Sequence, residues 1–117
     1  MTRFGATVRS LREHLRKENR RFSVRQVAKR IGVEPAYLSK IERGDVAPPS
    51  EATTVRLADE LGEDPDVLLA LGGKVSGDLQ DIIRKRPRLF ADLIRQLKEA
   101  PDDAILRVVR EVRDGDW

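Results

Sequence analysis

The stretch from Ser23 to Arg43, SVRQVAKRIGVEPAYLSKIER, leaves this chain few ways to fold. Val27, Ala28 and Ile31 recur at helical spacing and form one apolar face. Ser23, just ahead of them, is placed to cap that helix, because its hydroxyl can accept a backbone N–H of the first turn. Gly32 ends it, since glycine takes a left-handed C′ conformation without steric cost. Pro35 opens a second helix at the position where a missing N–H is no loss. Leu38 and Ile41 form the inward face of this second helix, which leaves Ala36, Tyr37, Ser39 and Lys40 pointing outward. The stretch therefore reads as two short helices joined by a tight turn.

Composition narrows what such a pair can serve. The 117 residues suit one domain, or a small domain with an appendage. With no Cys there is no disulfide framework, no thiol nucleophile and no Cys-based zinc site, and a single histidine, His14, cannot make a His-rich metal site. No Gly-rich phosphate loop occurs and no Ser stands beside a base. The acidic groups lie mostly at helix starts, where capping and the helix dipole account for them. A protein that is not an enzyme, and holds neither cofactor nor metal, is expected. No apolar run approaches the roughly 18–20 residues of a membrane span, and the opening residues lack an apolar signal-peptide core. A soluble cytoplasmic protein, with no membrane partner, is the expectation.

Net charge is +3, but residues 1–50 carry 12 Lys and Arg against 5 Asp and Glu, whereas residues 51–117 carry 11 against 15. A basic half around the helix pair is the electrostatic footprint expected for a phosphate backbone. A solvated surface would explain charge alone; together with the helix pair, the asymmetry points to nucleic acid.

The motifs continue past the pair. Val27-Ala28, Ile31-Gly32-Val33, Tyr37-Leu38-Ser39-Lys40-Ile41-Glu42-Arg43-Gly44, Pro48-Pro49-Ser50 and Leu57-Ala58-Asp59-Glu60-Leu61-Gly62 follow in order. Together, over about sixty residues, they resemble the helix-turn-helix of the phage-repressor family (Cro/C1-type, XRE) of bacterial DNA-binding regulators. The resemblance implies an all-α protein whose residues 1–73 form a five-helix, lambda-repressor-like DNA-binding domain, with 35–43 as the recognition helix. It places base contact at Pro35, Ala36 and Lys40, with Tyr37 and Ser39 beside them. Pro35 and Ala36 offer only apolar contact, for example with a thymine methyl, whereas Lys40 can donate to guanine O6 and N7. Glu34 stands where the family often has Ser. It either accepts from a cytosine amino group or complements the helix N-terminus. Phosphate contact is expected from the backbone at Ser23 and Val24, from Arg25 in the same turn, from Arg43 with the loop after it, and from Arg20 and Arg21. Lys29 and Arg30 are expected to face solvent. In the family an Arg of the first helix pairs with the Glu of the I-E-x-G segment, here Glu42. Arg12 is the candidate partner and Arg16 the alternative.

Phe4, Val8, Leu11 and Leu15 form one face of an amphipathic first helix, from about Thr7 to Asn19. The family reaches its helix-turn-helix several residues sooner, so His14 to Arg21 is a longer helix or an enlarged loop, with Phe22 packing ahead of the Ser23 cap. After the pair, the prolines of 45–49 make a loop. Ser50 caps the next helix, with Val55, Ala58 and Leu61 inward and Gly62 as its stop. Asp64-Pro65 starts a short helix with Val67, Leu68 and Leu71 inward, ended by Gly72-Gly73.

Residues 74–117 read as a C-terminal extension of two or three helices. Leu79, Ile82 and Ile83 form one apolar segment, Arg84 to Arg88 interrupt it, and Leu89, Phe90, Leu93, Ile94 and Leu97 form the next. Pro101-Asp102-Asp103 starts a last helix carrying Ala104, Ile105, Val108, Val109 and Val112. So short a segment cannot bury that much apolar surface alone. It packs on the N-terminal domain or on another chain, and a second copy is favoured because helix-turn-helix readers commonly bind paired half-sites as symmetric dimers. Arg84 to Arg88 is a solvated helix end or a second DNA patch, and Trp117 an interface anchor or a disordered end. The functional expectation is a sequence-specific double-stranded DNA-binding regulator, a repressor holding a palindromic operator as a homodimer. The alternative is an antitoxin-type or protease-controlled regulator whose C-terminal helices bind a partner protein.

Overall fold

Apolar residues spaced three and four apart, bounded by capping side chains, glycines and prolines, make every regular element among the described residues a helix. The computed structural model describes residues 3–115, and Trp117 lies outside them. Along the chain run α1 (Arg3–Arg16), a 3₁₀ turn (Arg20–Phe22), α2 (Val24–Ile31), α3 (Pro35–Arg43), α4 (Glu51–Leu61) and α5 (Pro65–Leu71). Then follow α6 (Gly77–Lys85), α7 (Pro87–Leu97) and α8 (Asp102–Asp114). The chain is all-α, with an N-terminal five-helix domain and a helical extension, and divides into two compact units between Ser76 and Gly77.

In the first unit, each of the five helices contributes to one core. Phe4 and Val8 come from α1, Val27, Ala28 and Ile31 from α2, Leu38 and Ile41 from α3, Leu57, Ala58 and Leu61 from α4, and Leu68 from α5. Burying a large aliphatic or aromatic side chain contributes about 1.5–3 kcal/mol, against about 0–1 kcal/mol for an exposed ion pair. Packing, not surface charge, therefore holds α2 and α3 in place.

Local chemistry sets the helix ends. Ser23 Oγ accepts from Gln26 N (3.3 Å), Ser50 Oγ from Thr53 N (3.3 Å) and Asp64 Oδ1 from Asp66 N (2.8 Å). Gly32, at φ 78°, caps the end of α2 in the left-handed region, which an L side chain enters only at a cost. Gly5 serves a different need. A Cβ there would collide with the Ile41 carbonyl oxygen and come within 2.8 Å of that of Glu42, so glycine lets α1 cross directly over the backbone of α3.

Three expected details differ. The first helix runs from Arg3 to Arg16 rather than from Thr7 to Asn19. It begins early because Phe4 is a core residue. It ends early because the Glu18 and Asn19 amides turn back onto the Leu15 carbonyl and Asn19 Oδ1 then caps the 3₁₀ turn through Arg21 N. In α4 the inward stripe is Thr54, Leu57, Ala58 and Leu61, with Val55 only half-buried. Thr54 can go inside because its hydroxyl donates to the Pro49 carbonyl (3.4 Å). In α5 Leu69 joins Leu68 in the interior, while Val67 is exposed.

The second unit is unlike the first. Arg84 and Lys85 close α6, and Pro87 takes the first-turn position of α7. None of the described residues in α6, α7 or α8 is buried.

Candidate nucleic-acid interface

Geometry at the helix pair begins with a buried charge. Arg12 of α1 and Glu42 of α3 are both about 4% exposed. Arg12 Nε donates to Glu42 Oε2 (2.7 Å) and Nη2 to Oε1 (2.8 Å), a parallel two-bond pair. Its third branch, Nη1, donates to the Phe22 carbonyl (3.1 Å). Arg16 is exposed and makes no part of this pair. Hydrogen bonding to Glu42 raises the Arg12 pKa against the opposing pull of burial, with the charges of Glu42 and Glu13 helping. Among the described residues no buried side-chain nitrogen or oxygen lacks a hydrogen-bond partner. One guanidinium thus ties together α1, the recognition-helix position of α3 and the turn ahead of α2.

That turn is held from a second side. Arg30 does not simply face solvent: its Nε donates to Glu60 Oε2 of α4 (2.6 Å), its Nη2 to the Arg21 carbonyl (2.7 Å), and its guanidinium lies 5.5 Å from the Phe22 ring centroid. The guanidinium carbon over a ring face adds a modest cation–π attraction. Arg56 Nε donates to the Ile31 carbonyl (3.2 Å), at the end of α2. Sequence periodicity shows none of these contacts, because each joins residues 25 or 30 apart or crosses to a loop carbonyl. The one local hint was Asn19, two residues before the amide it caps.

On this frame α3 presents Ala36, Tyr37 and Lys40 as its exposed strip, with Leu38, Ile41 and Glu42 turned in. Pro35 and Ser39 are half-buried, and Ser39 lines a cleft of about 210 Å³ with Arg9, Arg12, Val24, Glu42 and Arg43. Arg9, absent from the sequence expectations, reaches this cleft from α1 while pairing with Glu13 (3.2 Å). Glu34 occupies the N-cap position of α3 without a side-chain cap bond, and it is exposed.

The cations expected at phosphate lie around the start of α2. Arg20, Arg21 and Arg25 are exposed. Ser23 is half-buried, and its amide already donates to the Arg20 carbonyl (3.2 Å). The amides of Val24 and Arg25 come next, at the positive end of the helix dipole. A second, larger groove of about 790 Å³ is lined by Arg16, Lys17, Arg20, Ser23 and Gln26 among others. Arg43, exposed at the end of α3, donates to Asp45 Oδ2 (2.9 Å). Lys29 is exposed.

Two helices joined by a glycine turn, the second exposing short and polar side chains from a fixed core, define a helix-turn-helix DNA-binding domain. A family model described as a helix-turn-helix domain matches residues 3–71, more than half of the chain, and the chain belongs to that family. This agrees with the likeness to phage-repressor regulators. No curated protein and no solved structure matches the chain significantly. Among the described residues no helix is long and apolar enough to cross a membrane.

Proposed function

We propose that this protein is a sequence-specific transcriptional regulator of the cytoplasm, a repressor that occupies a palindromic operator as a homodimer. The observation that carries the reading is the exposed strip of α3 fixed over a buried core and flanked by cations at the start of α2. An α-helix fits the B-DNA major groove, and the helices of this motif meet base edges near the N-terminal end of the second one. In this reading Lys40 donates to guanine, Ala36 and Pro35 touch thymine methyls, and Tyr37 and Ser39 contact bases or the adjoining sugar-phosphate. Val24 and Arg25 amides, with the Arg20, Arg21, Arg25 and Arg43 side chains, hold phosphates. The Ser23 hydroxyl contributes by holding the first turn of α2. Arg12 and Glu42 form a structural pair that sets the angle of α3. Two apolar reading positions leave a good share of the affinity to phosphate contact and DNA shape.

Selection of bound sequences from random duplex DNA tests the reading. Enrichment of one inverted repeat is the expected result, and no enrichment overturns it. On the selected site, Lys40→Ala should cost about 1–3 kcal/mol and relax one base position in each half-site. An equal loss on all sequences would make Lys40 a phosphate contact instead.

A further inference from the structure

We infer that the groove between the end of α1 and the start of α2 seats a further stretch of DNA backbone, with Arg16 and Lys17 as phosphate contacts outside the helix-turn-helix itself. The inference rests on the DNA-binding reading of the preceding section and adds a second contact surface to it.

The groove, at about 790 Å³, is an open channel and not a seat for one small ion. Three cations line it: Arg16 in the last turn of α1, Lys17 just after it and Arg20 in the 3₁₀ turn. All three are exposed. Glu18 is the one acid in the lining, and Asn19, Ser23 and Gln26 complete it, so no apolar residue takes part. That composition selects the class of ligand. Pockets for small molecules are walled mostly by hydrophobic and aromatic side chains. Arg, Lys, Ser, Asn and Gln are the side chains that meet phosphate oxygens along a duplex.

These charges are also unmatched within the chain. Elsewhere in the first unit Arg9 pairs with Glu13, Arg12 with Glu42, Arg30 with Glu60 and Arg43 with Asp45. Among the described residues no carboxylate pairs with the side chains of Arg16, Lys17 or Arg20. A polyanion therefore meets cations that give up no internal partner. The backbone beneath them is held. The Glu18 and Asn19 amides donate to the Leu15 carbonyl, the Phe22 amide to that of Asn19 (3.2 Å), and Arg21 N to Asn19 Oδ1 (2.9 Å). Charges on a fixed turn are ordered at less entropic cost than charges on a slack loop. Ser23 belongs both to this groove and to the N-cap of α2, so the groove is continuous with the helix start that the same reading places on phosphate.

Ethylation interference on the full chain, with the duplex selected in the preceding section, tests the assignment. In Arg16→Gln/Lys17→Gln one distinct subset of the interfering phosphates should drop out, while the rest and the base preference stay. Affinity at about 0.1 M salt should fall roughly tenfold to hundredfold. Lys29→Gln removes an exposed cation of α2 that is not in the lining, and should change neither pattern nor affinity. Circular dichroism matching wild type shows that each variant is folded; should the double variant misfold, Arg16→Gln and Lys17→Gln singly should each lose part of the same subset. A double variant with the wild-type pattern and affinity overturns the inference. So does a weakening at every phosphate alike that Lys29→Gln shares, which marks a general field, and so does an altered base preference, which puts the two side chains at bases. A chain that enriches no sequence, yet binds duplex with an affinity lost in the double variant and kept in Lys29→Gln, overturns the regulatory reading and leaves this contact standing. No binding to any duplex at low salt overturns both.

Discussion

Arg12 carries three hydrogen bonds to two different partners from a nearly inaccessible position. Removing it strands the Glu42 carboxylate in the interior. Arg12→Ala should therefore lower unfolding stability by about 3–5 kcal/mol, whereas an apolar pair such as Arg12→Met with Glu42→Leu should recover most of the loss. Urea unfolding of the three proteins checks both statements. The pH dependence has a definite sign. A cation whose folded pKa is raised contributes stability below its unfolded pKa and loses it as pH climbs through the folded value. For Arg12 that loss falls in strong alkali, so its charge holds across the working range. Gly5 is the second residue on which the arrangement turns. Gly5→Ala forces a methyl against the carbonyls of Ile41 and Glu42, both backbone and neither able to swing aside. A loss of about 1–3 kcal/mol is expected. DNA affinity, measured well below the melting temperature, should fall too, because relief of the clash moves α3.

Among the elements, α2 is short and depends on its ends. Its eight residues give little intrinsic stability, so the Ser23 cap and the Gly32 turn matter more than they would in a long helix. Ser23→Ala should cost about 1 kcal/mol in thermal unfolding. If Val24 and Arg25 hold phosphate, the same variant should weaken binding to every duplex alike, without altering base preference. The 3₁₀ turn ahead of α2 occupies the stretch where the phage-repressor pattern is shorter. It is not a slack loop: Arg12, Arg30 and Asn19 each hydrogen-bond its backbone. Its charge thereby becomes a fixed feature beside the start of α2.

For the molecule as a whole, the basic excess of residues 1–50 and the acidic excess of residues 51–76 both lie in the first unit, while residues 77–117 carry equal numbers of the two signs. A dimer placing four arginines per chain on phosphate makes about eight contacts, so log K should fall with log salt at a slope of about −7. Filter binding or fluorescence anisotropy between 50 and 200 mM salt measures it. A slope near that of a monomer, about half as steep, would show one chain per site.

The sequence by itself determined the helices that carry chemistry. Val27, Ala28, Ile31, Leu38 and Ile41 announce their faces through spacing, and Ser23, Gly32 and Pro35 mark the ends, because caps and periodicity are local properties of a chain. It was less informative where an inward position is shared between chemistries: Thr54 is inside because Pro49 offers a carbonyl, and in α5 it is Leu69 that is buried and Val67 that is exposed. The tertiary structure alone decided the long-range partners. Only folding brings Arg12 rather than Arg16 to Glu42, or Arg30 to Glu60 and the Arg21 carbonyl, because such contacts depend on how helices cross and leave no period in the sequence. The glycine at position 5 belongs to the same class: its reason is a carbonyl on another helix.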